Sequence, residues 1–150
     1  MRTIVVSGEK SGVGKTYVAR QLLISLPGWS ALKVTVSKED GCPHHRSCGI
    51  CGGVKRPFYI VKDPKVINQT GKDTALLKKA GAKEVLWLKA KAGGLKQGLF
   101  KAFSAFSECE GIVIEGTSVL KFFKPDLNIH VYSQGKYGIN TRRLTPRSKG

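Results

Sequence analysis

A glycine-rich turn between a strand and a helix constrains this chain more than any other feature. Residues 2–7 (Arg-Thr-Ile-Val-Val-Ser) form a short β-branched run. From Lys15 to Leu26 the apolar residues Val18, Ala19, Leu22, Leu23 and Leu26 recur at helical spacing until Pro27 and Gly28 stop them. Between the two lies Ser7-Gly8-Glu9-Lys10-Ser11-Gly12-Val13-Gly14-Lys15-Thr16. A strand feeding a helix through so tight a turn belongs to an α/β architecture, in which each helix crosses back over a parallel sheet. The remaining periodicities agree. Strands are predicted over 31–37, 59–61, 84–88, 111–115 and 127–132, and helices over 72–80 and 95–106, where Leu95, Leu99, Ala102, Phe103 and Phe106 share one face. The pattern predicts a mostly parallel sheet with helices on both faces, a three-layer sandwich, over residues 1–132. Ligands of such sheets sit at the carboxyl ends of the strands. Residues 38–58 lack periodicity and read as a loop or small metal knuckle, and 133–150, with Arg142, Arg143, Arg147 and Lys149, as a basic flexible tail.

Charge narrows the partners. The 150 residues hold 26 Lys and Arg against 10 Asp and Glu, a formal charge of +16, and so positive a surface attracts anions. A nucleotide, a phosphorylated cofactor, a nucleic acid or an acidic protein each satisfies that demand, and Lys-rich surfaces also occur in heat-adapted proteins. Charge alone therefore selects none of them. Apolar runs such as 3–6 and 111–114 fall far below the roughly 18 consecutive residues of a membrane span. Met1 and Arg2 lead directly into a strand, so a cytoplasmic chain without a leader is expected.

The glycine turn meets the demands of a Walker A phosphate loop, since it follows a strand and opens a helix. Gly12 and Gly14 let the backbone turn its N–H groups inward around phosphates, Lys15 reaches the outer phosphates, and Thr16 offers a hydroxyl to Mg²⁺. The contact set for a nucleotide is Ser11, Gly12, Val13, Gly14, Lys15, Thr16 and Tyr17. The standard pattern has glycine five positions before Gly14; Glu9 stands there, and Gly8 lies one place early, so the loop is a variant. Glu115, which ends the apolar run 112–114 and precedes Gly116, occupies a Walker B position, the expected acidic partner of Thr16 at Mg²⁺. Asp40 is a second Mg²⁺ candidate. Lys15 and Lys10 are the candidate catalytic cations, Lys10 by stabilising charge in the transition state. No Asn/Thr-Lys-x-Asp run that would read guanine follows the late strands, and the similar Ser37-Lys38-Glu39-Asp40 follows the second strand instead. GTP and ATP thus both stay open, and no Gln or His is placed to orient an attacking water.

Three of the four cysteines crowd into ten positions. Cys42, Cys48 and Cys51, with His44 and His45 between the first two, supply three thiolates and an imidazole, enough for a tetrahedral zinc site. An iron–sulfur cluster needing a further ligand, a Cys48/Cys51 dithiol–disulfide pair, or free thiols are the alternatives. Cys109 stands apart and reads as a buried thiol.

Residues 10–16 resemble the deviant Walker A of the SIMIBI group of P-loop proteins, where an early lysine can touch a nucleotide phosphate across a dimer; Ser11 stands where that group has glycine. More widely, the loop, then Val36-Ser37-Lys38 with His44-His45, then Gly71-Lys72-Asp73-Thr74 and Ala80-Gly81-Ala82, then Ile114-Glu115-Gly116, resemble the MobB family in order and separation. The resemblance spans about residues 3–131. It implies a P-loop NTPase fold and a GTP-binding, weakly hydrolytic homodimer. Such a dimer assists guanine-nucleotide attachment to molybdopterin beside the nucleotidyltransferase MobA. The Cys/His segment and the separation of Asp63 from Gly71 depart from the family pattern. Two other functions stay open. An ATP-dependent small-molecule kinase would need an arginine-bearing lid, and the only arginine cluster is Arg142, Arg143 and Arg147. A nucleotide-regulated nucleic-acid-binding module would need a continuous basic stripe and show steep salt dependence.

Overall fold

In two strands of this chain the apolar residues run without alternation, Ile4-Val5-Val6 and Ile112-Val113-Ile114. In β1 (Arg2–Gly8) every residue after Arg2 is buried, and in β5 (Gly111–Glu115) all five are. A strand of that kind must be covered on both sides. The computed structural model describes residues 1–37, 56–133 and 139–141. It places β1 and β5 beside β2 (Ser30–Ser37), β3 (Phe58–Val61), β4 (Val85–Lys91), β6 (Leu127–Ser133) and β7 (Ile139–Thr141) in one seven-stranded sheet of order β3-β4-β2-β5-β1-β6-β7. The five inner strands are parallel. The two edges, β3 on β4 and β7 on β6, are antiparallel.

Side-chain alternation along the strands sorts the core into two layers. On one face Ile4, Val6, Ala31, Val85, Trp87 and Val113 meet Ala19 and Leu23 of α1 (Lys15–Ser25), Ile67 of α2 (Pro64–Ile67) and Leu77 of α3 (Asp73–Lys79). On the other, Val5, Leu32, Leu86, Leu88, Ile112 and Ile114 meet Leu95, Leu99 and Ala102 of α4 (Leu95–Ala105). Phe103 and Phe106 pack against that second layer half-buried. Helices therefore lie on both faces of an α/β sheet that is mostly parallel and mixed at its edges.

Three expectations are corrected. The strand expected over 84–88 runs as Val85–Lys91, because pairing with β2 up to Ser37 and with Phe58 and Tyr59 of β3 carries it past the apolar residues. Within the stretch expected as a tail, Ile139–Thr141 instead forms an edge strand on β6, a pairing that needs no crossover helix. Cys109 is half-buried rather than buried, with Sγ 3.9 Å from the Met1 sulfur. Among the described residues no helix is long and apolar enough to cross a membrane.

Leu99 is fully buried where α4 meets the sheet. Leu99→Ala is expected to lower the unfolding free energy by about 2–5 kcal/mol in urea titration, because a cavity adds to the lost transfer energy. A loss below about 1 kcal/mol would contradict this packing.

Candidate functional site

Register brings the site together. β1 and β5 are parallel neighbours with Val6 opposite Glu115, and β2 lies on the other side of β5 with Lys33 opposite Glu115. The glycine turn, the strand-terminal carboxylate and the lysine therefore meet at one sheet edge.

The turn is closed by contacts at Gly8. The Thr117 hydroxyl accepts from the Gly8 N–H and donates to the Gly8 carbonyl, each at 3.0 Å, and the Glu9 N–H donates to the Val131 carbonyl at 3.2 Å. A Cβ on Gly8 would stand 2.7 Å from Val13 Cγ2 and 2.9 Å from Lys15 Cδ. The loop thus folds back over Gly8, which supplies the close approach from one place earlier than the usual pattern. Gly12 and Gly14 adopt φ of 78° and 107°, the left-handed region that glycine enters without strain. Gly14 caps α1 with no side-chain hydrogen bond and no acidic residue follows in the first turn, so the helix presents its orphan amides and positive dipole end to the cleft.

At the floor, the Thr16 hydroxyl donates to Glu115 Oε1 at 2.8 Å. Glu115 is only 5% exposed, and its Oε2 is buried with no hydrogen-bond partner. Lys33 Nζ stands 3.8 Å from Glu115 Oε1 and also forms an ion pair with Asp73 at the start of α3. Two carboxylates thus share one ammonium. An orphaned carboxylate oxygen beside a hydroxyl is a hard-oxygen donor set, and its chemistry fits Mg²⁺.

A cleft of about 920 Å³ opens above these groups. Ser11, Gly12, Gly14, Lys15, Thr16 and Glu115 all line it. Val13 turns its side chain into the core, which leaves only its backbone for a ligand. Lys10 and Tyr17 are exposed and do not line the cleft. Asp40, Cys42, His44, His45, Cys48 and Cys51 lie outside the described residues. Among the described residues no group of three His, Cys, Asp or Glu is placed to hold a metal ion.

Several lining residues escape a reading of motifs: Lys33, Thr35, Trp87, Lys89 and Thr117. Lys33 did carry a signal, since it interrupts the apolar run Ala31-Leu32-Lys33-Val34 of an inner strand. Searches against protein-family models, curated proteins and solved structures found no match. The site must be argued from its own residues.

Removing Lys33 strands Glu115 as a buried carboxylate. Lys33→Met is expected to cost about 3–5 kcal/mol in denaturant titration, and the double variant Lys33→Met/Glu115→Gln to recover most of it. Equal losses in the single and double variants would show that the two residues are not coupled.

Proposed function

We propose that this chain binds a nucleoside triphosphate with Mg²⁺ in the cleft and hydrolyses it slowly, in the manner of a P-loop NTPase of the MobB type. The observation that carries this reading is the Thr16–Glu115 contact, with its orphaned carboxylate oxygen, at the mouth of a positive-φ glycine loop. A helix N-terminus, a glycine loop and a lysine border the same cleft, and a phosphate chain is the ligand that would use all three.

In this reading the amides of residues 12–16 and the Lys15 ammonium hold the β and γ phosphates, while Thr16 and Glu115 hold Mg²⁺. Bound there, the cation supplies charge neutralisation on the phosphate oxygens. Lys33 sets the Glu115 carboxylate in place. Slow turnover follows because, among the described residues lining the cleft, none is a Gln or His able to orient an attacking water.

The residues leave GTP and ATP open; the resemblance of the motifs from Ser11 to Gly116 to the MobB family favours GTP and, as the biological role, assistance to guanine-nucleotide attachment on molybdopterin. A homodimer and a MobA-type nucleotidyltransferase are the partners this role implies. Calorimetric titration with GTP and ATP in Mg²⁺ tests the chemistry. Lys15→Ala is expected to weaken nucleotide binding by about 100-fold, near 2.7 kcal/mol. Failure of the unaltered chain to bind either nucleotide, or an unchanged affinity in Lys15→Ala, would overturn the reading.

A further inference from the structure

The ammonium of Lys33 serves two carboxylates that come from different elements. Glu115 is its register partner on β5, and Asp73 is the first residue of α3. Lys33 Nζ donates a hydrogen bond to Asp73, whereas it stands 3.8 Å from Glu115 Oε1 and leaves Glu115 Oε2 without a partner. The side chains of Lys33 and Glu115 are 17% and 6% exposed, against 44% for Asp73. The ammonium is thus drawn from the dry carboxylate toward the wetter one.

Packing keeps Asp73 there. Gly71 turns the chain into α3 at φ 85°, and the buried Thr74 hydroxyl donates to the Ile67 carbonyl at 2.8 Å, which ties the first turn of α3 to α2. Ala75 and Leu77 fix the same short helix from below. The consequence for Glu115 is electrostatic. Without Asp73, the one ammonium and the one buried carboxylate would close on each other as a neutral pair, and the oxygen now orphaned would be claimed. A divalent cation at Thr16 and Glu115 would then have to expel a poorly hydrated ammonium with no second partner, and leaving a buried charge unpaired is costly. With Asp73 present, the group keeps an excess of negative charge, and the displaced ammonium has a carboxylate to rest on.

We propose that Asp73 is a positioning residue for the cation: it holds the Lys33 ammonium back from Glu115 and takes it over when a divalent cation occupies the Glu115 carboxylate. The inference rests on the nucleotide–Mg²⁺ reading above and adds to it a residue that touches neither the cation nor the nucleotide. Lys33 is then the moving part, set on Glu115 while the site is empty and withdrawn to α3 when it is filled.

The test is titration of Mn²⁺, a paramagnetic stand-in for Mg²⁺, into the full chain saturated with a non-hydrolysable GTP analogue, with free Mn²⁺ read by electron paramagnetic resonance. Asp73→Asn is expected to weaken Mn²⁺ binding by at least about tenfold and Asp73→Glu to restore it, while affinity for the analogue in EDTA changes by less than about twofold. Equal Mn²⁺ affinity in Asp73→Asn and the unaltered chain overturns the role of Asp73 alone. A matching loss in EDTA also overturns it, since Asp73 would then act on the nucleotide or the fold. If the unaltered chain binds no Mn²⁺ with the analogue present, the cation site and the positioning role fall together. A crystal structure of the Mn²⁺ complex separates relay from direct ligation: Lys33 Nζ should move beyond 3.8 Å from Glu115 Oε1 and keep its bond to Asp73. Asp73 coordinating Mn²⁺, or Lys33 unmoved, would overturn the inference.

Discussion

A carboxylate with almost no access to water sits at the centre of this molecule's chemistry. Glu115 ends an apolar strand whose neighbours on both sides are parallel, so its side chain is buried among groups that must answer its charge. Thr16 answers through a hydroxyl and Lys33 through an ammonium, and one oxygen is left over. A carboxyl group in so dry a place must be paired or hydrogen-bonded. The loop and the cleft are arranged about that constraint.

The sheet makes the arrangement possible. Parallel register across β4, β2, β5, β1 and β6 sends every inner carboxyl end to one edge, and burial on both faces stiffens the sheet behind it. Thr117 and Glu9 then fasten the loop to the segment after β5 and to β6. Buried hydrophobic side chains on both faces of the sheet secure the geometry that a few polar contacts exploit. Lys15, Lys33, Asp73 and Glu115 gather at one rim, where they meet both solvent and one another.

Much of this was legible in the sequence. The β-branched run, the glycines and the helical spacing that follows place strand, loop and helix at 2–8 and 15–25 within a residue or so, because these signals are local. Glu115 was legible for the same reason, as an acid closing an apolar strand. The surroundings of Trp87, at the β4 end of the cleft, were not. Trp87 looks like one more apolar residue of β4, and its ring meets Thr35, Lys72 and Lys89, which arrive from three places in the chain. The edge strands hid their direction as well, since a run such as 58–61 has the same composition whichever way it pairs. Gly8 doing the work of a glycine at position 9 is a matter of how the loop folds back, which spacing alone does not reveal.

The central claim is that the cleft grips a polyphosphate through the loop amides and a cation through Thr16. A crystal structure of the chain soaked with Mg²⁺ and a non-hydrolysable GTP analogue tests it most directly. The account predicts β-phosphate oxygens about 2.7–3.2 Å from the amide nitrogens of residues 12–16, and Mg²⁺ about 2.1 Å from Thr16 Oγ1 with the direct Thr16–Glu115 hydrogen bond broken. A nucleotide bound elsewhere, with the Thr16–Glu115 contact still at 2.8 Å, would contradict it.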